Sequence, residues 1–204
     1  MTFFNLPIAL TWGRILAIPL LVAAFYLPKD FCSLQTSNLL ATIIFVLAAL
    51  TDWADGFLAR KLNQTSAFGA FLDPVADKLM VATALIILVS LNRCDAALAA
   101  IIIGREITIS ALREWMAKIG AAQSVAVSML GKIKTSAQML AIPLLLYQKP
   151  ILLSISGFEI DLNCGKYLLF IAAILTIWSM FYYLQMALKE IKQKLKNNQK
   201  IIKK

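Results

Sequence analysis

The chain has 204 residues, of which 60% are hydrophobic and only 15% charged, and its mean hydropathy is +0.77. A water-soluble domain is roughly 45–50% apolar and 25% charged, so the composition excludes an ordinary cytosolic enzyme and makes the bilayer part of the solvent. There is no histidine, which excludes a histidine base and leaves the well-separated Cys32, Cys94 and Cys164 without the partners a zinc site needs.

The N-terminal residues 1–5 precede the first apolar run, and no Lys or Arg occurs before Arg14. The start therefore lacks the basic region of a secretory signal and the Arg-rich look of a transit peptide. It reads as mature protein at the membrane interface and favours a bacterial inner membrane. The first predicted span, Leu6 to Leu27, carries Arg14 near its start, and the second, Ser37 to Ala59, carries Asp52 and Asp55 near its end. The third, Ala67 to Leu91, opens with Asp73, Asp77 and Lys78, whereas the fourth, Ala96 to Met116, closes with Arg105, Glu106 and Arg113. The fifth, Val125 to Tyr147, begins with Lys132 and Lys134. The sixth, Tyr167 to Leu188, is uncharged and leads into residues 189–204, which hold seven lysines and one acid. At about 20 residues per crossing, six spans take roughly 120 residues, which leaves room for one membrane domain over residues 1–204 and for no second.

The charges fall at start, end, start, end, start and end of successive spans. A chain that crosses back and forth six times thereby places every charged half in one leaflet. The basic tail makes that leaflet cytoplasmic, with both termini on the same side. The expected fold is an all-α integral membrane protein, six transmembrane helices around a polar cavity open to the cytoplasmic leaflet. The tail follows a span and lacks interleaved aromatic residues, so it reads as an anchor beside anionic lipid and not as a nucleic-acid site. The cysteines fall on the opposite side and receive no role.

Asp52, Asp55, Asp73 and Asp77 are the costly residues. An acid near the centre of a span costs about 2.5–3.5 kcal/mol on insertion scales, so four uncompensated ones would cost on the order of 10–14 kcal/mol. The spacings i, i+3 and i, i+4 place each pair on one helix face, where like charges repel unless cations sit between them. Arg60, Lys61 and Lys78 supply at most three charges from the same segments. Hard divalent cations, Mg or Mn, suit carboxylate oxygens and a two-metal phosphoryl-transfer site. Interhelical salt bridges or a proton relay, as in a cation transporter, are the alternatives. Gly56, Ala59 and Gly69 leave room for a ligand against the backbone, and Arg60 offers a planar donor fork for a diphosphate.

The stretch from Asp52 to Asp77 resembles the signature of the CDP-alcohol phosphotransferases, D-x2-D-G-x2-A-R-x8-G-x3-D-x3-D, at every defined position. The similarity extends to Asn5-Leu-Pro7, Leu10-Thr11, Arg14 to Pro19, Arg105-Glu106, Ser110 to Glu114, Gly131 to Thr135 and Gln138. The later motifs resemble the branch of that family whose acceptor is glycerol 3-phosphate. The resemblance implies that Asp52, Asp55, Asp73 and Asp77 serve two divalent cations, with Asp77 also the general base. It implies that Gly56, Ala59, Arg60 and Gly69, together with Asp52, line the pocket for CDP-diacylglycerol. The implied reaction transfers the phosphatidyl group to glycerol 3-phosphate and releases CMP, and relatives are typically homodimers.

An acceptor that carries a phosphate needs a basic cluster beyond the metals. Arg105, Arg113, Lys132 and Lys134 share the charged leaflet, with Thr135 as a hydroxyl donor. Snorkelling to lipid headgroups is the competing role, weakest for Arg105 after nine apolar or small residues. Inositol phosphate, serine and phosphatidylglycerol are the alternative acceptors for the same chemistry.

Overall fold

A computed structural model describes residues 6–27, 32–61, 67–121, 129–148, 153–155, 158–160 and 164–202. Within them the chain forms α1 (Leu6–Tyr26), α2 (Leu34–Lys61), α3 (Ala67–Ser90), α4 (Ala96–Lys118), α5 (Met129–Tyr147) and α6 (Cys164–Ile202). Between α5 and α6 lies a small antiparallel hairpin of β1 (Leu153–Ile155) and β2 (Phe158–Ile160), with Ile155 opposite Phe158 and Leu153 opposite Ile160. The hairpin is absent from the all-α expectation, because its strands, Leu-Ser-Ile and Phe-Glu-Ile, alternate over only three residues each, fewer than the roughly four to eight needed to read a strand.

Local chemistry sets the helix ends. The Asp95 carboxylate accepts from the Ala97 amide at 2.8 Å and caps α4, and the Ser33 hydroxyl accepts from the Thr36 amide at the head of α2. At the far end of α4, Gly120 takes a φ of 70° while the Ala121 amide returns to the Met116 carbonyl at 2.8 Å, the six-to-one bond of a Schellman turn. Asn92, with φ 56°, closes α3 in the same way, its neighbour Arg93 donating to the Leu88 carbonyl. Prolines 19, 74 and 143 lie inside α1, α3 and α5. The sixth helix runs past its apolar part into the lysine-rich segment and reaches Ile202, so the tail is a helical continuation of the span over most of its length.

The core is built from small and branched apolar residues on every helix, among them Leu21, Phe45, Ala84, Leu85, Leu88, Ile102, Ile142, Leu146 and Leu169, all buried. Small partners such as Ala41, Ala48, Ala141 and Ala173 let the helices approach closely. A second cluster, Ile109, Met116, Tyr183 and Ala187, seals the other end of the α4–α6 contact. The outside is apolar as well. Leu47, Leu50, Tyr167, Ile174, Trp178 and Phe181 are all about half exposed or more, which is the reverse of a water-facing surface. Three helices contain windows long and apolar enough to cross a bilayer, at Ala9–Tyr26, Leu34–Asp52 and Cys164–Lys192. The chain is a helical membrane protein. The other three helices carry their ionic residues too far inward for so uniform a window, and those residues build the site.

Candidate active site at the charged end of the bundle

Arg14 of α1 is 2% exposed and reaches across to two carboxylates. Its Nη1 lies 2.9 Å from Asp52 Oδ1 on α2 and 2.5 Å from Asp77 Oδ1 on α3. One nitrogen thus gathers the first and last acids of the motif into a single site. One turn earlier, the buried Thr11 donates its hydroxyl to Asp73 Oδ1 at 2.6 Å. Thr11 and Arg14 are three residues apart on one face of α1, so this face orders three of the four predicted acids. The side chains of Asp55, Gly56, Ala59 and Arg60 lie outside the described residues, as does that of Lys132. Gly69 is buried near the start of α3.

A fixed guanidinium beside two carboxyl groups keeps both pointed at the same space. It also leaves one positive against two negative charges, so oxygen donors remain for a hard cation. Among the described residues no set of three or more acids or cysteines gathers tightly enough to hold a metal ion.

A second constellation joins α4, α5 and α6. Arg105 is buried and donates from Nη2 to the Ser179 hydroxyl at 2.8 Å. Its guanidinium lies 5.8 Å from the centre of the Tyr183 ring, and that of Arg113 lies 5.3 Å from the same ring. Tyr183 is fully buried, and its hydroxyl oxygen accepts from Arg113 Nη2 at 3.4 Å. Two turns separate Arg105 from Arg113 along α4, so both meet one aromatic face of α6. Lys134 of α5, buried to 1%, donates to Glu106, whose same oxygen lies 3.5 Å from Arg105 Nη1. The Nε groups of Arg105 and Arg113 are buried without a hydrogen-bond partner among the described residues. Donors in that state are a cost that an anion would relieve.

Between the two constellations opens a cavity of about 210 Å³ lined by Asp52, Asp77, Lys78, Glu106, Thr135 and Gln138, with Pro74, Val81 and Met139 as its apolar wall. Thr135, expected as a hydroxyl donor, lines this cavity, but its hydroxyl proton goes to the Gly131 carbonyl at 2.9 Å, leaving the oxygen as an acceptor.

The sequence profile of the CDP-alcohol phosphatidyltransferase family matches residues 4–178. The chain belongs to that family. It is 50% identical over 186 residues to a protein of Haemophilus influenzae named CDP-diacylglycerol–glycerol-3-phosphate 3-phosphatidyltransferase, covering 90% of this chain and 94% of the relative. Proteins of the same name from Pectobacterium atrosepticum and Escherichia coli K12 are 51% and 48% identical, each covering 90% of this chain and 95% of the relative.

Sequence reasoning left Arg14, Thr11, Glu106, Gln138 and Ser179 without roles and took Tyr183 for an interface anchor or packing residue, not for a stacking platform, whereas two guanidinium groups lie over its ring. Arg14 carried a signal, a lone cation in an apolar span with a hydroxyl three residues before it. Ser179 and Tyr183 carried none, since a span rich in Ser, Thr and Tyr gives no hint of which face meets an arginine.

Proposed function

We propose that this chain transfers the phosphatidyl group of CDP-diacylglycerol to glycerol 3-phosphate, giving phosphatidylglycerophosphate and CMP. The observation that carries the reading is one cavity lined by Asp52 and Asp77 and also by Glu106, which pairs with Lys134 beside Arg105. The names of the relatives agree with it.

The motif acids form the donor side. Asp52, Asp55, Asp73 and Asp77 would hold two divalent cations, Mg or Mn, which when bound neutralise the diphosphate and stabilise the departing CMP. Arg14 and Thr11 hold the carboxylates in register for that task. Gly56, Ala59 and Gly69 leave space for cytidine and diphosphate, and Arg60 offers it a donor fork. Asp77 is the general base. Its carboxylate takes the proton of the acceptor hydroxyl, the oxygen attacks the phosphorus attached to diacylglycerol, and the bond from that phosphorus to the bridging oxygen breaks with its electron pair leaving on CMP. The low-dielectric wall of Pro74, Val81 and Met139 strengthens each of these charge interactions.

The acceptor side takes the phosphate of glycerol 3-phosphate. Arg105, Arg113 and Lys134 bring three positive charges and Glu106 removes one, so the described part of the cluster is complementary to the near-dianionic phosphomonoester of the acceptor. A zwitterionic amino acid or a phosphodiester fits that balance less well. Lys132 extends the cluster by sequence.

Six crossings place this cavity in the cytoplasmic leaflet of a bacterial inner membrane, with both termini on that side and a homodimer as the assembly. Labels at Asp52 and Lys132 that react from opposite faces of sealed vesicles would exclude that topology. For the reaction, purified protein is supplied with CDP-diacylglycerol, Mg or Mn, and each acceptor in turn. CMP release is expected with glycerol 3-phosphate and is expected to cease with a chelator. Release with serine and none with glycerol 3-phosphate overturns the reading.

A further inference from the structure

Of the polar side chains that line the cavity, Glu106 and Gln138 belong neither to the donor acids nor to the phosphate-binding cations. Gln138 lies one turn beyond Lys134 on α5, on the same helix face. It is 3% exposed and lines the cavity, and its amide makes no hydrogen bond among the described residues. Open to the cavity and bonded to no described residue, that amide is available to a ligand there. Glu106 faces it from α4. Its Oε1 accepts from Lys134 and lies near Arg105, so the carboxylate is held from one side, while Oε2 accepts from no described group and the residue lines the same cavity.

Asp77, where the acceptor hydroxyl is to be deprotonated, lines the same cavity as Glu106 and Gln138, and Glu106 is the lining residue that meets Lys134 and Arg105. An acceptor that reaches from Asp77 toward those cations passes its middle carbon along this lining. A carboxylate oxygen there accepts an O–H, and an amide both donates to and accepts from a hydroxyl.

We propose that Glu106 and Gln138 are specificity-determining residues that bind the hydroxyl in the middle of a polyol phosphate, a role that rests on the reaction assigned above. The Glu106 charge also repels any acceptor that carries a carboxylate in that place. A site built to hydrogen-bond a substrate hydroxyl rejects the analogue that lacks it far more strongly than an apolar pocket rejects a missing methylene, because buried polar groups are then left unpaired.

The test compares glycerol 3-phosphate with 3-hydroxypropyl phosphate, which keeps the phosphate and the attacking hydroxyl and lacks only the middle one. The unaltered enzyme is expected to prefer glycerol 3-phosphate in kcat/KM by about 100-fold or more. Gln138→Met, close in shape, is expected to reduce that preference about 10-fold or more by lowering kcat/KM for glycerol 3-phosphate alone, with CDP-diacylglycerol KM and thermal midpoint unchanged. Glu106→Gln is expected to act in the same direction and serves if the methionine variant does not fold. Equal use of both acceptors by the unaltered enzyme, or an equal loss with both in the variants, overturns the inference while leaving the reaction in place. No CMP release with either acceptor overturns the reaction and the inference together.

Discussion

Two ends of this bundle each bury arginine, and they treat it differently. At the end away from the acids, Arg93 sits in the turn between α3 and α4 and is 6% exposed. Its Nη2 donates to the Asn38 side chain on α2 at 2.8 Å, and its Nη1 donates to the Leu146 carbonyl at 2.8 Å and the Leu145 carbonyl at 3.3 Å, near the end of α5. Burial presses its pKa below the usual arginine value, and neutral acceptors from two helices stabilise the charge. Arg93 is a clamp. At the other end, Arg105 and Arg113 stack on Tyr183 and keep buried Nε groups that bond nothing among the described residues. A satisfied cation holds a fold together, whereas on the proposed reading this pair, with donors to spare, is arranged for an anion that arrives later.

Variants can break this contrast. The largest effect is expected at the acids. Asp77→Asn should lower kcat by about 100- to 10,000-fold, the range of a lost general base, while CDP-diacylglycerol binding measured by thermal shift stays near that of the unaltered protein. Near-normal turnover would remove Asp77 as the base.

Next come the stacked arginines. Arg113→Met should raise KM for glycerol 3-phosphate about 10- to 100-fold, the loss of a charge-assisted hydrogen bond of about 1.5–3 kcal/mol, and leave KM for CDP-diacylglycerol unchanged. A rise in the donor KM instead would place this cluster on the wrong substrate.

Arg93→Met sharpens the contrast from the opposite end. It strands the Asn38 oxygen and carbonyls near the end of α5, so stability in detergent should fall by about 1–3 kcal/mol with both KM values intact. A selective change in either KM would make Arg93 part of the site. The smallest effects belong to two helical glycines, Gly165 and Gly104. A Cβ at Gly165 would meet the Leu145 side chain at 2.9 Å and Leu144 Cβ at 3.3 Å, so Gly165→Ala should lower the thermal midpoint by the equivalent of about 1 kcal/mol of overpacking. Gly104→Ala, with nothing within 4 Å of the added carbon, should not move it. Equal midpoints for the two variants would mean that α5 and α6 are not packed as closely as described.

Much of the site was legible because its charges are expensive where they lie. Four acids in otherwise apolar segments demand compensation, and the regular spacing of small residues and Arg60 among them narrows what can compensate. Arg105, Arg113 and Lys134 were legible as a group for the same reason. Their arrangement around Tyr183 was not, and neither was the Arg14 bridge. The acids were read against cations of their own two segments, Arg60, Lys61 and Lys78, and the structure brings a cation from α1 to Asp52 and Asp77.

The sequence by itself determined that the chain lives in lipid, that its helices form, where several of them stop, and that their ionic residues sit at corresponding ends. These follow from transfer free energies, from caps such as Asp95 and from turn residues such as Gly120, all of which act within a few residues of themselves. Only the tertiary structure decided which carboxylate meets which guanidinium, that Glu106 is pinned by Lys134, and that Gln138 opens on the cavity. Those pairings depend on the rotation and tilt of each helix about its neighbours. Rotation and tilt are set by the sum of many small packing contacts, which no single residue announces.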